Sequence, residues 1–178
     1  INGEEMDEKR NVFVESARIS RGKIIALADL NKDNISSLVI IGGFGAAKNL
    51  SNWAFEGKNG YVLKEVQDLI LHCIENKKPI VALCISPTLI AKSLEDKGYI
   101  PQLTLGSKKG ISEYDIEKTH EAVSSVGAET HNRLISQICV DENLKIISAP
   151  CYMMKANINE IYNNIKMSID KLSDFLQQ

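Results

Sequence analysis

The order of apolar and polar positions along the chain predicts strands and amphipathic helices in turn. Residues 38–41 and 80–83 are continuous apolar runs, the pattern of strands buried on both faces. Between them, apolar residues recur at helical spacing over 61–76. Shorter patterns predict strands over 23–27, 103–105, 137–140 and 145–148, and helices over 11–20, 86–97, 112–126 and 157–176.

Strands that alternate with amphipathic helices indicate an α/β fold, a mostly parallel sheet with helices on both faces. In such sheets the loops that follow the strands gather at one edge, where ligands bind. We therefore expect the loops after Ile41 and Leu83 to lie side by side.

Composition narrows the function further. The 178 residues are 44% apolar and 25% charged, and 21 basic residues stand against 23 acidic ones, so we expect no nucleic-acid partner. Apolar runs are far shorter than the roughly 20 residues of a membrane span, so we expect no membrane insertion. Four cysteines without C-x-x-C spacing, Cys73, Cys84, Cys139 and Cys151, favour reduced thiols in an intracellular protein and no metal site.

Cys84 is the first candidate for chemistry. It ends the 80–83 strand just before Ser86 and Pro87, which read as the N-cap and first residue of a helix. This is the layout of a nucleophile elbow, which tolerates little bulk two positions to either side, here Ala82 and Ser86. A helix N-terminus lowers the pKa of a thiol beside it. The alternative is an inert core cysteine, and spacing alone favours neither.

The glycine-rich loop after the first buried strand is the second candidate. Gly42 and Gly43 would let backbone amides turn toward a ligand, as an oxyanion hole requires, or would simply form a tight turn. Lys48 and Asn49 are candidates for substrate binding, although Asn49 could instead cap the next turn. The loop matches neither G-x-G-x-x-G nor a Walker motif, so we expect no nucleotide cofactor.

Two segments resemble a known family. Residues 41–52, Ile-Gly-Gly-Phe-Gly-Ala-Ala-Lys-Asn-Leu-Ser-Asn, and 79–87, Pro-Ile-Val-Ala-Leu-Cys-Ile-Ser-Pro, resemble the enhancing-lycopene-biosynthesis (ElbB) branch of the PfpI-like, class I glutamine-amidotransferase-like superfamily. Residues 10–22, 140–142 and 149–153 resemble that branch in the same order, so the resemblance spans nearly the whole chain.

The resemblance implies a single class I glutamine-amidotransferase-like domain over 1–178, folded as a flavodoxin-like three-layer sandwich. It also implies a reactive elbow cysteine, Cys84, and for some members a glyoxalase activity that needs no cofactor or metal. A homodimer is expected on the same basis, and the family name carries a link to isoprenoid biosynthesis. We expect a cytoplasmic protein, or a mitochondrial one if the source is eukaryotic.

The departures from the family pattern concern proton transfer. PfpI-type proteases have His directly after the elbow cysteine, where this chain has Ile85. Amidotransferases carry a His-x-Glu pair after a late strand, where this chain has Ala-Pro-Cys-Tyr at 149–152. The family's acidic partner comes from an opening βαβ unit, which we expect to be missing ahead of Ile1. The resemblance places the Cys151 loop beside the elbow, so Cys151 is a candidate near the site. His131, in a loop before a strand, is another.

The leading hypothesis is a cofactor-free enzyme of glyoxalase type, which converts glyoxal-like aldehydes to hydroxy acids. The Cys84 thiolate would add to the aldehyde carbon, and the amides of Gly43 and Ile85 would hold the oxyanion. The alternative is a non-catalytic amidotransferase-like scaffold, or a redox-sensing or regulatory protein built around the same thiol.

Overall fold

The computed structural model describes residues 7–177, and the chain divides into two compact units, of which the first ends at Asn31. The first unit contains helix α1 (Val12–Ile19). Its N-terminus is capped by Asn11, whose side chain accepts a hydrogen bond from the backbone N–H of Val14 at 3.2 Å. The helix over 11–20 is therefore confirmed.

The strand predicted over 23–27 is wrong. The chain instead enters a short 3-10 turn at Leu27–Asp29. Ile25 in this segment is 66% exposed. A strand is stabilised by a hydrogen-bonded partner and by a buried face, and the described residues of the segment have neither.

The second unit is built around a four-stranded sheet in the order β1-β2-β6-β5. Its strands are β1 (Leu38–Ile40), β2 (Ile80–Leu83), β5 (Cys139–Asp141) and β6 (Ile146–Ala149). The pairs β1–β2 and β2–β6 are parallel, whereas β5 and β6 form an antiparallel hairpin. The predicted mostly parallel sheet is confirmed, but β1 ends one residue early and its Val39 is 40% exposed rather than buried.

A second, two-stranded parallel sheet consists of β3 (Gln102–Leu103) and β4 (Glu129–Thr130). The sequence pattern predicts a strand at 103–105, one residue late, and none at 129–130. Strands of two residues are too short to carry an alternating pattern, so sequence periodicity cannot reveal them.

Helices lie on both faces of the main sheet. The second unit contains α2 (Trp53–Glu56), α3 (Lys64–Glu75), α4 (Pro87–Leu94), α5 (Ile116–Ser125) and α6 (Ile158–Leu176). Of these, α4 and α6 make the main contacts with the strands of this sheet. Val81, Leu83, Ile147 and Ala149 point to one face, where they pack against α6. The alternate residues of the same strands point to the other face, where α4 contacts β2.

The predicted start of α5 needs correction, and one short helix was not predicted. Helix α5 is capped by Asp115, whose carboxylate accepts from the N–H of Lys118 at 3.0 Å, and not by Ser112. The hydroxyl of Ser112 instead donates to the carbonyl of Met153 at 2.7 Å. Helix α2 and a π-helical turn at Ala46–Leu50 follow the glycine-rich loop, in a segment for which the sequence pattern predicts no helix or strand. Among residues 7–177, no helix combines the length and the hydrophobicity that a membrane span requires.

Candidate functional site

The strand–turn–helix layout at Cys84 is confirmed. Strand β2 ends at Leu83, and α4 begins at Pro87. Between them Cys84 has φ of 61°, in the left-handed region that residues with a side chain rarely adopt. Such strain costs on the order of 1–3 kcal/mol and is retained where the surroundings fix it, typically at functional sites.

Ser86 ties the elbow to the neighbouring strand. Its hydroxyl is fully buried and lies 2.9 Å from the carbonyl of Leu83 and 3.0 Å from the carbonyl of Ile40. The sequence predicts Ser86 as the N-cap of α4, but its side chain caps no helical N–H. Its role is to join the carboxyl ends of β1 and β2 at the point where the chain turns.

Gly42 allows the glycine-rich loop to contact the elbow. A Cβ atom at this position would lie 2.5 Å from the carbonyl oxygen of Leu83 and 2.6 Å from the Cβ of Cys84. Only glycine fits without a shift of the backbone. Gly43 follows with φ of 92°, which turns its amide toward the cysteine.

Four backbone amides surround the Cys84 sulfur. They belong to Ile85, Gly43, Met153 and Tyr152, and each favours the thiolate. Burial acts in the opposite direction and outweighs them, so the pKa of the Cys84 thiol is raised above its ordinary value. This is the reverse of the direction expected from the helix N-terminus alone, and the resting group at neutral pH is a thiol.

Cys151 lies beside Cys84. It follows β6, whose Ala149 pairs with Leu83, and the N–H of Cys84 donates to the Ala149 carbonyl at 2.9 Å. The Cys151 side chain is 3% exposed, and burial together with the neighbouring Cys84 raises its pKa to about 12. The structure thus brings the two cysteines together at adjacent strand ends.

A buried asparagine of α6 holds the Cys151 loop. Asn164 accepts a hydrogen bond from the N–H of Cys151 at 2.9 Å and donates to the carbonyl of Gln137 at 2.9 Å. Cys151 itself has φ of 47°, so its backbone is also strained. The sequence gives no signal for Asn164, because a polar residue inside a helix normally reads as solvent-facing.

An open cavity of about 620 Å³ adjoins the two cysteines. Its walls are largely apolar and come from the glycine-rich loop, α2, α5, α6 and the segment after β6. The lining residues are Ile41, Gly42, Gly43, Phe44, Ala47, Trp53, Ala54, Leu83, Cys84, Ile85, Tyr114, Asp115, Lys118, Thr119, Ala122, Cys151, Tyr152, Met153 and Ile165.

Three predicted site residues do not line this cavity. Lys48 lies with its ammonium 5.2 Å from the ring centroid of Phe44, so it adjoins a wall residue rather than the cavity. Asn49 is exposed on the same π-helical turn. His131 follows β4 of the two-stranded sheet, outside the cavity lining. Its backbone N–H donates to the Leu103 carbonyl at 2.8 Å, and its ring lies 3.4 Å from the carboxylate of Glu129.

The amides of Tyr152 and Met153 are the part of the site that sequence reasoning missed. They follow the third parallel strand end of the sheet, as Gly43 and Ile85 follow the first two. A backbone amide needs no particular residue type, so only the position of the segment after a buried strand could have indicated it.

The chain is similar in sequence to mitochondrial proteins of two mammals. The chain is 37% identical over 166 residues to the mitochondrial ES1 protein homolog of Rattus norvegicus. It is 36% identical over 166 residues to the mitochondrial glutamine amidotransferase-like class 1 domain-containing protein 3 of Homo sapiens. The name of the human relative refers to a glutamine amidotransferase-like class 1 domain.

These two matches cover 93% of this chain but only 61% and 60% of the relatives, so the chain spans about three fifths of their length. No protein-family model matches the sequence. A crystal structure from Ehrlichia chaffeensis, described as an isoprenoid biosynthesis protein with an amidotransferase-like domain, superposes with a TM-score of 0.84 at 29% identity. The superposition covers 97% of this chain and 74% of that one, which agrees with the predicted α/β, flavodoxin-like fold.

Proposed function

We propose that the chain is a cysteine-dependent, cofactor-free enzyme of glyoxalase type, in which Cys84 attacks the aldehyde carbon of a glyoxal-like substrate. The observation that carries the proposal is the set of amides from Gly43, Ile85, Tyr152 and Met153 around a strained cysteine at a cavity. A carbonyl oxygen that becomes negatively charged during addition needs such preorganised donors.

The chemistry is an internal redox reaction of the substrate. The sulfur forms a bond to one aldehyde carbon, and the thiol proton passes to the oxygen, which gives a hemithioacetal. A proton then moves from that carbon to the neighbouring one through an enediol, so the first carbon becomes a thioester. Water releases a 2-hydroxy acid and restores the thiol.

This reaction needs a base that carries the proton between the two carbon atoms of the substrate. Asp115 borders the cavity, but its carboxylate caps α5 and lies 3.0 Å from the ammonium of Lys118. Those contacts lower the pKa of Asp115, which makes it a weak base. We therefore assign the proton shuttle to none of the described residues.

The proposal extends to the family branch, the metabolic context, the compartment and the oligomeric state. The isoprenoid biosynthesis description of the Ehrlichia protein supports assignment to the ElbB branch and a link to isoprenoid metabolism. The mitochondrial designation of the mammalian relatives supports an intracellular compartment, mitochondrial in a eukaryote and cytoplasmic otherwise. We also propose a homodimer, which light scattering of the purified chain tests.

The test is hydroxy-acid formation from glyoxal by the full chain and two variants. Cys84→Ala should fall to the uncatalysed rate, because it removes the nucleophile. Cys139→Ala is the matched control, since Cys139 is buried in β5 and does not line the cavity, and it should retain the wild-type rate. Equal, background-level rates for the wild type and Cys84→Ala would reject the proposal.

The position of Cys151 supports a second candidate, a peroxide-responsive thiol pair. The Cys84 sulfur would break the O–O bond of hydrogen peroxide, releasing water and leaving a sulfenic acid. The Cys151 sulfur would then displace a second water and form a disulfide.

Mass spectrometry of the peroxide-treated chain should find the Cys84–Cys151 disulfide, whereas the Cys151→Ser variant should stop at the sulfenic acid of Cys84. Overoxidation of Cys84 without any crosslink would count against this candidate.

A further inference from the structure

The cavity beside Cys84 is much larger than glyoxal. Glyoxal has four non-hydrogen atoms, and at about 30 Å³ for each water-sized group it fills roughly 120 Å³. The cavity volume is about 620 Å³. Ligands of drug size occupy pockets of about 300–1,000 Å³, so the space suits a substrate several times larger than glyoxal.

The apolar walls of the cavity are also poorly suited to bind a small polar substrate. Aromatic rings of Trp53, Tyr114 and Tyr152 and the aliphatic side chains of Ile85 and Ile165 border it. Glyoxal is strongly hydrated and gains little from such walls, whereas each buried methylene group is favourable.

The charged groups that border the cavity belong to one pair. Asp115 is the N-cap of α5 and Lys118 is on its first turn, with their charged groups 3.0 Å apart and largely exposed. An anionic substrate would have to compete with Asp115 for Lys118. The arrangement therefore offers no dedicated counter-ion for a carboxylate or phosphate among the described lining residues.

We propose that the electrophile that reaches Cys84 is a 2-oxoaldehyde bearing an uncharged apolar chain or ring of about six to ten carbons. This inference rests on the proposed function for its chemical step and on the cavity for the class of substituent. The carbonyl lies among the amides at Cys84, and the apolar substituent extends between α2 and α5.

Ala122 on α5 is the position that tests the space. Its side chain lines the cavity and is half-buried, so a larger side chain there occupies cavity volume rather than the packed core. Ala122→Phe should lower kcat/KM for 2-oxooctanal at least tenfold more than it lowers kcat/KM for glyoxal. Ser125→Phe, exposed on the same helix and outside the cavity lining, is the matched control and should alter neither value.

The substrate series gives the second measurement. In the wild type, kcat/KM should rise about fourfold for each methylene added from methylglyoxal to 2-oxooctanal, because each methylene leaves water on binding. Values that stay level or fall along the series would overturn the inference while leaving glyoxalase activity intact.

Binding can be read without any turnover. Trp53 is the single tryptophan of the sequence and lines the cavity, so its fluorescence reports occupancy. Affinity for 1-butanol, 1-hexanol and 1-octanol should rise with chain length, and Ala122→Phe should weaken the response to 1-octanol at least tenfold.

Turnover and Trp53 fluorescence together distinguish failure of the glyoxalase proposal from failure of the apolar ligand class. A graded alcohol response with no turnover of any aldehyde would support the apolar ligand class and reject the glyoxalase proposal. Turnover of glyoxal with no fluorescence response to 1-octanol would overturn the apolar ligand class and leave the glyoxalase proposal standing.

Discussion

At the residue scale, two opposing effects act on the Cys84 sulfur. Four amides stabilise the thiolate, while burial in the apolar cavity destabilises it and prevails, so the pKa is raised. The same amides are available to an oxyanion formed on a substrate next to the sulfur. The site is thus preorganised for negative charge that appears during a reaction more than for a resting thiolate.

Alkylation of Cys84 measures this balance directly. The rate with iodoacetamide should rise with pH and reach its inflection above pH 9, because the thiolate is the reacting form and the pKa is raised from 9.0. Intact mass spectrometry follows the modification, with Cys84→Ser as the control for the other cysteines. An inflection near pH 7 would mean that the amides prevail over burial.

The close approach of Gly42 gives a second prediction at this scale. Gly42→Ala places a methyl group 2.5 Å from the Leu83 carbonyl and should destabilise the chain by about 1–3 kcal/mol, as overpacking does. Gly45→Ala is the control, because Gly45 has a helical φ of −58° and its added Cβ would meet no atom closer than 4.0 Å. It should be neutral or stabilising by up to about 1 kcal/mol in urea unfolding. Equal destabilisation by both would contradict the contact.

At the element scale, α6 shows where sequence periodicity succeeds and fails. The apolar positions predict one buried stripe, and the helix bounds agree with the structure. The predicted members are Ile158, Ile161, Ile165, Ile169, Leu172 and Phe175 or Leu176. The structure buries Ile161, Leu172 and Phe175 as predicted, whereas Ile158 is 69% and Ile169 42% exposed. The buried face also contains Asn164 and Ser168, which periodicity could not reveal because a polar anchor carries no apolar signal.

Asn164 should therefore matter more than its neighbour. Asn164→Ala leaves the buried N–H of Cys151 without a partner and should destabilise the chain by about 1–3 kcal/mol. Because the Cys151 loop supplies amides to Cys84, the variant should also slow the Cys84-dependent reaction. Asn163→Ala changes an exposed position on the same helix. It should change the free energy of unfolding by no more than about 0.5 kcal/mol and leave the rate of the Cys84-dependent reaction unchanged. Indistinguishable variants would contradict the anchoring role.

At the scale of the whole molecule, the parallel sheet determines the site. The apolar runs at 38–41 and 80–83 predict two adjacent strands and the meeting of their loops, because continuous apolar runs are typical of sheets covered on both faces. The third strand end, with Tyr152 and Met153, depends on which strand lies beside β2. Strand order is a property of the assembled sheet and leaves no local trace in the sequence.

The buried thiols predict how the folded chain responds to alkali. Burial in α3 raises the pKa of Cys73 from 9.0 to about 11. A thiol that stays protonated in the folded chain but ionises in the unfolded chain contributes stability below pH 9 that is lost as pH rises toward 11. The wild type should lose about 2–3 kcal/mol more than Cys73→Val over this interval in urea unfolding. Parallel pH dependences for the two would contradict the shift.

The most direct test of the account is the pH dependence of 2-hydroxy acid formation from methylglyoxal, compared between the full chain and Cys84→Ala. We predict a Cys84-dependent rate that rises with pH and levels off only above pH 9, because the reacting thiolate has a raised pKa. The Cys84→Ala rate should follow the uncatalysed reaction throughout. A wild-type rate equal to that of Cys84→Ala at every pH would contradict the assignment of Cys84 as the nucleophile.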